Sequence, residues 1–441
     1  MAIARARSFR YNRPMRARRK AWGGCLARLT ATLLLAFGVL ASADAQITGL
    51  GVMGDSLSDE YFEETYGTYA TNWVQQLVNY RGVNVGPTAA AAGQPGNTWG
   101  SPRRTGYEFD WALSGDTSSN LLADGQHTGL AAQVAADGIS HAVLAVGAND
   151  FNPDFLTYPT AAYLNIYNGS WSASQISNYV AQILTNIETA VVTVETTGVN
   201  LVVFNILDYG KTPAVYGDFL YTNGSKRERV SAAIQQANAG LLFLAQKYQI
   251  PLVDAFGLQK AIFGSNTNLQ TVLTIGNITI NLQQSDTDPT NHPNRTAAFV
   301  ADKAHPHTTI QGLFANMALE AFSLGYQTPV SLFTEQEILN HAGLAYGGAD
   351  TLMSQIGSYT NYVVLPIRPQ VASLGFAGGN LQLGFTTVSN QFYRIEMTSD
   401  LTTGSWTSLT NNVRGTGGGV LVIDPSASGQ SHRFYRVRQL P

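Results

Sequence analysis

From residue 47 to about 328 the chain alternates short apolar runs with longer stretches whose apolar residues recur at helical spacing. The apolar runs fall at 47–53, 141–146, 200–206 and 250–254, and the helix-like stretches at 69–80, 129–137, 173–197 and 226–248. In the last, Val230, Ile234, Ala237, Leu241 and Leu244 fall on one face. Strand feeding helix feeding strand predicts an α/β domain, a parallel sheet with helices on both faces. Two stretches break the rhythm. Residues 84–106 are rich in Gly, Pro and Thr, and 264–300 are polar and rich in Asn and Thr. Both are expected to be long loops near the ligand-bearing face, or insertions.

At 441 residues the chain exceeds one such domain. Residues 331–368 are expected to form a helical extension and linker. Thr334 with Glu337 makes a capping box ahead of Ile338, Leu339, Ala342 and Leu344, and Pro366 and Pro369 then mark a break. From 369 to 441 the pattern changes to short alternating strands at 381–385, 392–397, 420–423 and 434–437. That predicts a small all-β module, sandwich-like.

The first 45 residues differ from the rest. They carry nine basic residues and one acid, Asp44, then an apolar run at 29–40 and the small-residue site Ala43-Asp44-Ala45. This is the pattern of a secretory signal peptide, and the run is too short for a membrane span. Met15 is an alternative start, and Arg18-Arg19 raises twin-arginine export, although the residues after the pair fit it poorly. Cleavage near Ala45 leaves 17 Lys+Arg against 28 Asp+Glu, about −11, where the whole chain carries −3. So acidic a chain lacks the electrostatic footprint for nucleic acid or anionic membranes. The one cysteine, Cys25, leaves with the signal, which excludes disulfides, a thiol nucleophile and cysteine metal sites from the mature chain.

The chemistry-bearing residues cluster after predicted strands. Gly-Val-Met-Gly-Asp-Ser-Leu-Ser, residues 51–58, ends the first strand, and a serine there sits at the crevice where open α/β sheets place ligands. Ser56 needs a base, the base an orienter, and a tetrahedral intermediate needs hydrogen-bond donors. Among seven histidines, His305 has a suitable setting: Asp302-Lys-Ala-His305-Pro306 leads into a helix start with Thr308 as cap and Gln311 three residues on. The same pair would also serve merely to stabilise that helix end, and His292 and His307 are rivals for the base. Asp110-Trp-Ala-Leu-Ser-Gly115 offers a glycine amide, and Gly147-Ala-Asn149-Asp150 an Asn side chain after the 141–146 strand; each alone is also compatible with a structural turn. The acidic run Asp59, Glu60, Glu63, Glu64 is either a cation site or a solvated loop.

In the order Ser56, Gly115, Asn149, Asp302-x-x-His305, the chain over about residues 47–328 resembles the GDSL (SGNH) family of serine esterases and lipases. The segment Asn-Ile-Leu-Asp-Tyr-Gly-Lys-Thr-Pro, residues 205–213, is similar to one that many members carry; Asp110, where members often have Asn, is a departure. The resemblance implies a flavodoxin-like three-layer α/β/α domain with no cofactor or metal. It also implies Ser56 as nucleophile, His305 as general base and then acid, and Asp302 as orienter. The amides of Ser56 and Gly115 with the Asn149 side chain would form the oxyanion hole. The expected substrate is a small-molecule or polysaccharide-linked ester. The alternatives are a deacetylase of acetylated polysaccharide and a catalytically silent surface or carbohydrate-binding protein on the same fold. The C-terminal module, similar to short modules ending in Phe-Tyr-Arg-Val on secreted bacterial proteins, would contact a glycan or cell surface or serve only as packing.

Overall fold

A computed structural model describes residues 3–7, 47–154, 161–367, 369–389, 391–402, 405–430 and 432–440. The apolar run at 29–40, Arg18-Arg19, Cys25 and the cleavage site lie outside the described residues. The chain divides into two compact units, 45–366 and a second containing 367–441 with the first residues of the chain.

In the larger unit four strands lie parallel: β1 (Leu50–Gly54), β2 (His141–Ala145), β3 (Asn200–Phe204) and β4 (Leu252–Val253). Their residues are buried almost without alternation, as expected for strands covered on both faces. One helical layer comprises α1 (Trp73–Arg81) and α6 (Thr308–Tyr326). The other comprises α2 (Gln126–Asp137), α3 (Ala173–Glu195) and α4 (Gly224–Tyr248). A shorter helix, α5 (Ala255–Phe263), leaves the end of β4. This is the three-layer α/β/α architecture. In α6, Leu313, Met317, Leu319 and Phe322 are fully buried, each stabilising the fold by about 1.5–3 kcal/mol.

The order of winding decides where the site lies. After β1 the chain runs outward, and residues 109–113 lie alongside its far edge: Val52 N–H donates to Phe109 O (2.9 Å), Trp111 N–H to Val52 O (2.8 Å) and Leu113 N–H to Gly54 O (3.2 Å). It then crosses back to form β2 on the other side of β1, with Gly54 paired to Ala145. The winding therefore reverses at β1, and the crevice of an open sheet lies at the carboxyl end of such a strand.

Three expectations need correction. The extension at 331–368 is not separate, since Phe333, Ile338, Leu339, Leu352 and Ile356 share the main core, and Val363–Val364 adds an antiparallel fifth strand beside β4. The capping box of Thr334 and Glu337 is present, on Glu335–His341. The 264–300 stretch is not one loop but fits the other alternative, an insertion with strands of its own. It holds an antiparallel hairpin, Val272–Ile275 with Ile278–Ser285, and a parallel strand, Ala297–Phe299. Ile280 and Leu282 are fully buried two apart, and polar neighbours mask that period. Third, Thr308 does not cap α6. His307 does, its Nδ1 accepting from Thr308 N–H (2.8 Å), while Thr308 Oγ1 accepts from Thr71 N–H (3.1 Å) and Gln311 Oε1 from Trp73 N–H (3.3 Å). The pair read as a cap instead ties α6 to α1.

The C-terminal unit is all β. One sheet orders Val371–Ala377, Asn380–Thr386 and Gly419–Asp424, and the other contains Phe392–Thr398, Thr407–Arg414 and His432–Leu440, with Ile3–Arg7 paired antiparallel to the last. Leu383, Phe385, Tyr393, Ile395 and Tyr435 form its core. The strands at 371–377 and 407–414 escaped the sequence reading because both are largely polar or small and exposed.

Gly54 is where β1 and β2 come closest to Ser56. A Cβ there would lie 2.4 Å from Ala145 O, a backbone atom that cannot swing aside. Gly54→Ala should lower unfolding free energy by about 1–3 kcal/mol in urea denaturation. A change within about 0.5 kcal/mol would mean that β2 yields freely at this point.

Candidate active site

Ser56 stands two residues beyond β1 and is buried. Its turn is tied down by Asp55, whose carbonyl accepts from Ser58 N–H (2.9 Å) and Asp59 N–H (3.0 Å) and whose own N–H reaches Ala145 O (3.3 Å). Asp55 Oδ1 accepts from Leu57 N–H (3.1 Å). Burial pushes the Asp55 carboxyl up to about 7, only partly offset by that Leu57 N–H.

His305 reaches the same point from the other side. The chain leaves the strand Ala297–Phe299 and turns back through Val300 to Pro306, with Val300 N–H donating to His305 O (2.9 Å) and His307 N–H to Ala298 O (2.8 Å). Lys303, at φ +71°, takes the left-handed conformation that tightens this turn. His305 Nε2 lies 2.6 Å from Ser56 Oγ, and Nδ1 lies 2.5 Å from Asp302 Oδ2. Asp302 Oδ1 also accepts from Ala304 N–H (2.8 Å) and His305 N–H (2.9 Å). Burial pushes this carboxyl up, but the hydrogen bond from His305, its charge and the two N–H donors outweigh burial and hold it below the ordinary range. An ionised Asp302 accepts a hydrogen bond from Nδ1–H and so keeps the proton on that nitrogen, which leaves Nε2 as acceptor for the Ser56 hydroxyl. The imidazole is also stacked on Tyr66 (centroids 5.4 Å, 27°) and meets the edge of Tyr61 (6.2 Å).

The rival histidines are elsewhere. His307 is fully buried, capping α6 and 3.7 Å from Asp286; burial lowers it to about 4 despite that carboxylate. His292 is exposed and pairs with Asp288 (2.9 Å).

Asn149 opens the turn after β2 and is 3% exposed. Its Oδ1 accepts from Asn152 Nδ2 (3.1 Å) and Tyr209 Oη (3.3 Å), while Nδ2 donates one hydrogen to Asp116 O (3.1 Å). Among the described residues the second Nδ2 hydrogen meets no acceptor, and Asn149 lines the cleft beside Ser56. Gly115 follows the 109–113 segment to the same end of the sheet, at φ +87° with open space where a Cβ would be. It stands outside the residues that line the cavity. Among the described residues no acceptor meets the Ser56 or Gly115 N–H.

Two supporting features were missed or misread in the sequence. Gln126, at the start of α2 and fully buried, clasps Gly54 through both backbone groups: Oε1 accepts from Gly54 N–H and Nε2 donates to Gly54 O, each at 2.9 Å. In sequence it reads only as a polar residue opening a helix. The acidic run is the other. It is neither a cation site nor a solvated loop, for Asp59 and Glu60 are 5% and 2% exposed and Arg104 pairs with Asp59, Glu63 and Glu64. Among the described residues no His, Cys, Asp or Glu group could hold a metal ion.

Ser56, Asn149 and His305 line a solvent-open cleft whose empty space, solvent included, is about 660 Å³ and whose other lining residues include the apolar Leu258, Ile262, Phe263, Leu313 and Phe314. A hydroxyl against an imidazole backed by a carboxylate can be activated to attack a carbonyl.

Comparison with known proteins gives the family. Residues 50–316 match the family model for GDSL-like lipase/acylhydrolase. The chain belongs to that family. It is therefore an ester-hydrolysing enzyme, and the family resemblance of the sequence holds. Solved structures similar to this GDSL-like acylhydrolase include a catalytic mutant of Axe2, an acetylxylan esterase from Geobacillus stearothermophilus (13% identity, 65% of this chain and 99% of that one, TM-score 0.33). TesA (16%, 63% and 98%, 0.31) and a putative acylhydrolase from Bacteroides fragilis (15%, 63% and 86%, 0.33) are others. No curated protein sequence matches the chain. No helix among the described residues is long and apolar enough to cross a membrane.

The buried acids beside the site give a pH prediction. Burial pushes Glu60 up to about 8, against the Tyr107 N–H that Oε1 accepts at 2.6 Å and with help from neighbouring Asp59 and Glu63. The unfolded chain releases this proton near the ordinary glutamate value of 4.5 while the folded protein keeps it to about 8. Glu60 therefore removes stability as pH rises through that window. Glu60→Gln, which preserves the acceptor, should raise the urea midpoint at pH 9 and leave it unchanged near pH 4. An equal effect at both would show that Glu60 does not titrate as described.

Proposed function

We propose that this protein is an exported carboxylic-ester hydrolase that works through Ser56, His305 and Asp302 and accepts esters with an apolar acyl chain longer than acetyl. Ser56 Oγ attacks the ester carbonyl as its proton passes to His305 Nε2. The oxyanion is received by the amides of Ser56 and Gly115 and by Asn149 Nδ2. The tetrahedral intermediate collapses to the acyl-enzyme as His305 returns the proton to the leaving alcohol, and water repeats the sequence. Asp302 holds Nδ1–H, so the imidazole cannot turn its wrong nitrogen toward Ser56. Export is proposed on the basic, then apolar, then Ala43-Asp44-Ala45 pattern of the first 45 residues.

The observation that carries the substrate class is the cavity. Its lining is mostly apolar, with Leu258, Ile262, Phe263, Leu313 and Phe314 outweighing the few polar groups such as Asp208, Thr212 and Gln259, and such a surface favours an alkyl chain over a sugar. A second apolar pocket of about 390 Å³, lined by Trp73, Val146, Phe204 and Ile206, shares Asp55, Leu57, Ala148, Leu207 and Phe314 with the first. An alkyl chain placed there gains about 0.8 kcal/mol per buried methylene.

Expression of the full chain, followed by hydrolysis of p-nitrophenyl esters from acetate to palmitate, tests this reading beside Ser56→Ala. Activity rising beyond acetate and lost with Ser56 is expected. Activity confined to acetate would replace this substrate class with acetylated polysaccharide, and silence on both would leave a binding protein on the hydrolase fold. Ile262→Trp should lower kcat/KM for long esters by about tenfold while sparing acetate. A uniform loss would remove Ile262 from the acyl wall.

A further inference from the structure

The acidic run that follows Ser56 is bound, carboxylate by carboxylate, to the segment that ends at Gly115. Glu63 Oε1 accepts from Thr105 N–H (2.5 Å) and from the Thr105 hydroxyl. Glu60 Oε1 accepts from Tyr107 N–H (2.6 Å). Asp59 Oδ2 accepts from Ser114 N–H (2.7 Å) and from the Arg104 guanidinium, whose Nε also lies 2.9 Å from Glu63 Oε2. Arg104 Nη1 reaches Glu64 Oε1 at 3.5 Å.

Asp59 differs from the other three in what it joins. Its N–H is bonded to Asp55 O in the turn that carries Ser56, so its backbone belongs to the nucleophile's own support. Its side chain grips the peptide immediately before Gly115, whose N–H has no acceptor among the described residues. One buried carboxylate therefore sets the distance between the nucleophile's turn and the Gly115 amide. Arg104 supplies a compensating positive charge in direct contact with this buried carboxylate.

We propose that Asp59 is a positioning residue for the oxyanion hole, locking the Gly115 N–H to the Ser56 turn through Ser114, with Arg104 as its obligatory counter-charge. The proposal rests on the Ser56 reading above. Burial raises the Asp59 carboxyl to about 6, with Arg104 pulling against it, so the anion dominates at neutral pH. The charged and titratable groups around it include Arg104, Glu63, Glu60, Asp110, Asp55 and Asp116.

The test uses the full-chain product with Asp59→Ala, Asp59→Asn and Arg104→Gln. The readouts are kcat and KM on a p-nitrophenyl ester, inhibition by an alkyl boronic acid, and the thermal midpoint. The boronate's tetrahedral adduct places an oxygen where the oxyanion forms, so its affinity reports the hole and not the fold. Asp59→Ala should lower kcat by about ten- to a hundredfold with KM within about twofold, and weaken boronate binding in parallel. Asp59→Asn, which keeps an acceptor for Ser114 N–H, should recover part of both. The Arg104 side chain is 39% exposed, so Arg104→Gln keeps the test open where Asp59→Ala fails to fold, and should lower kcat several-fold with boronate affinity following. Unchanged kcat and boronate affinity in Arg104→Gln and in a folded Asp59 variant overturns the proposal, as does a rise in KM alone. Ester turnover that survives Ser56→Ala overturns the Ser56 reading itself and takes this proposal with it.

Discussion

The carboxyl end of β1 is held from every side, and the active face is built around that restraint. Gln126 clasps the Gly54 N–H and C=O, Leu113 N–H reaches the same carbonyl, and Asp55 N–H reaches Ala145 across the sheet. β1 has β2 on one side and only the irregular 109–113 segment on the other, so the polar groups at its end are completed by a side chain and loop amides. With those bonds made, Ser56 leaves the sheet at a defined angle. His305 meets it from a turn held by Val300 N–H and Ala298 O. Neither segment contacts the other in sequence, and 249 positions separate the two side chains.

Buried acids are the recurrent expense of this arrangement. Asp55, Asp59, Glu60 and Asp150 are all pushed above the ordinary carboxylate range, each chiefly by burial. Asp302 departs in the other direction because His305 and two N–H donors favour its anion. Carboxyls with opposite shifts around one serine separate two tasks. Those with raised values hold loops by accepting from backbone N–H groups, while the lowered one stays charged against an imidazole.

Much of this was legible. The alternation of apolar runs with helical periods marks the parallel sheet, because strands buried on both faces must be uniformly apolar and crossover helices must be amphipathic. The order Ser56, Gly115, Asn149, Asp302, His305 placed each residue just after an element or just before one, which is where ligand-bearing loops lie. What failed were elements whose burial is not written in period. The 278–285 strand hides Ile280 and Leu282 among polar residues, and Val363–Val364 is only two residues long and joins the sheet from outside the domain drawn for it. The acidic run misled because isolated charges read as solvated, and only an arginine 40 positions away, between two loops, reverses that.

The sequence by itself determined the class of fold, the turn that carries Ser56 and the candidate residues after each strand. These are local matters of periodicity, strand ends and the spacing of Asp302 from His305. Tertiary structure alone decided which histidine reaches Ser56, that His307 is a buried cap, and that Gln126 and Asp59 bind the loops together. It alone decided that the cavity behind the serine is walled by Leu258, Ile262 and Phe314. Each of these depends on side chains from distant segments converging at the end of one strand. Convergence of that kind leaves no pattern along the chain, because the distances that define it exist only once the sheet has wound.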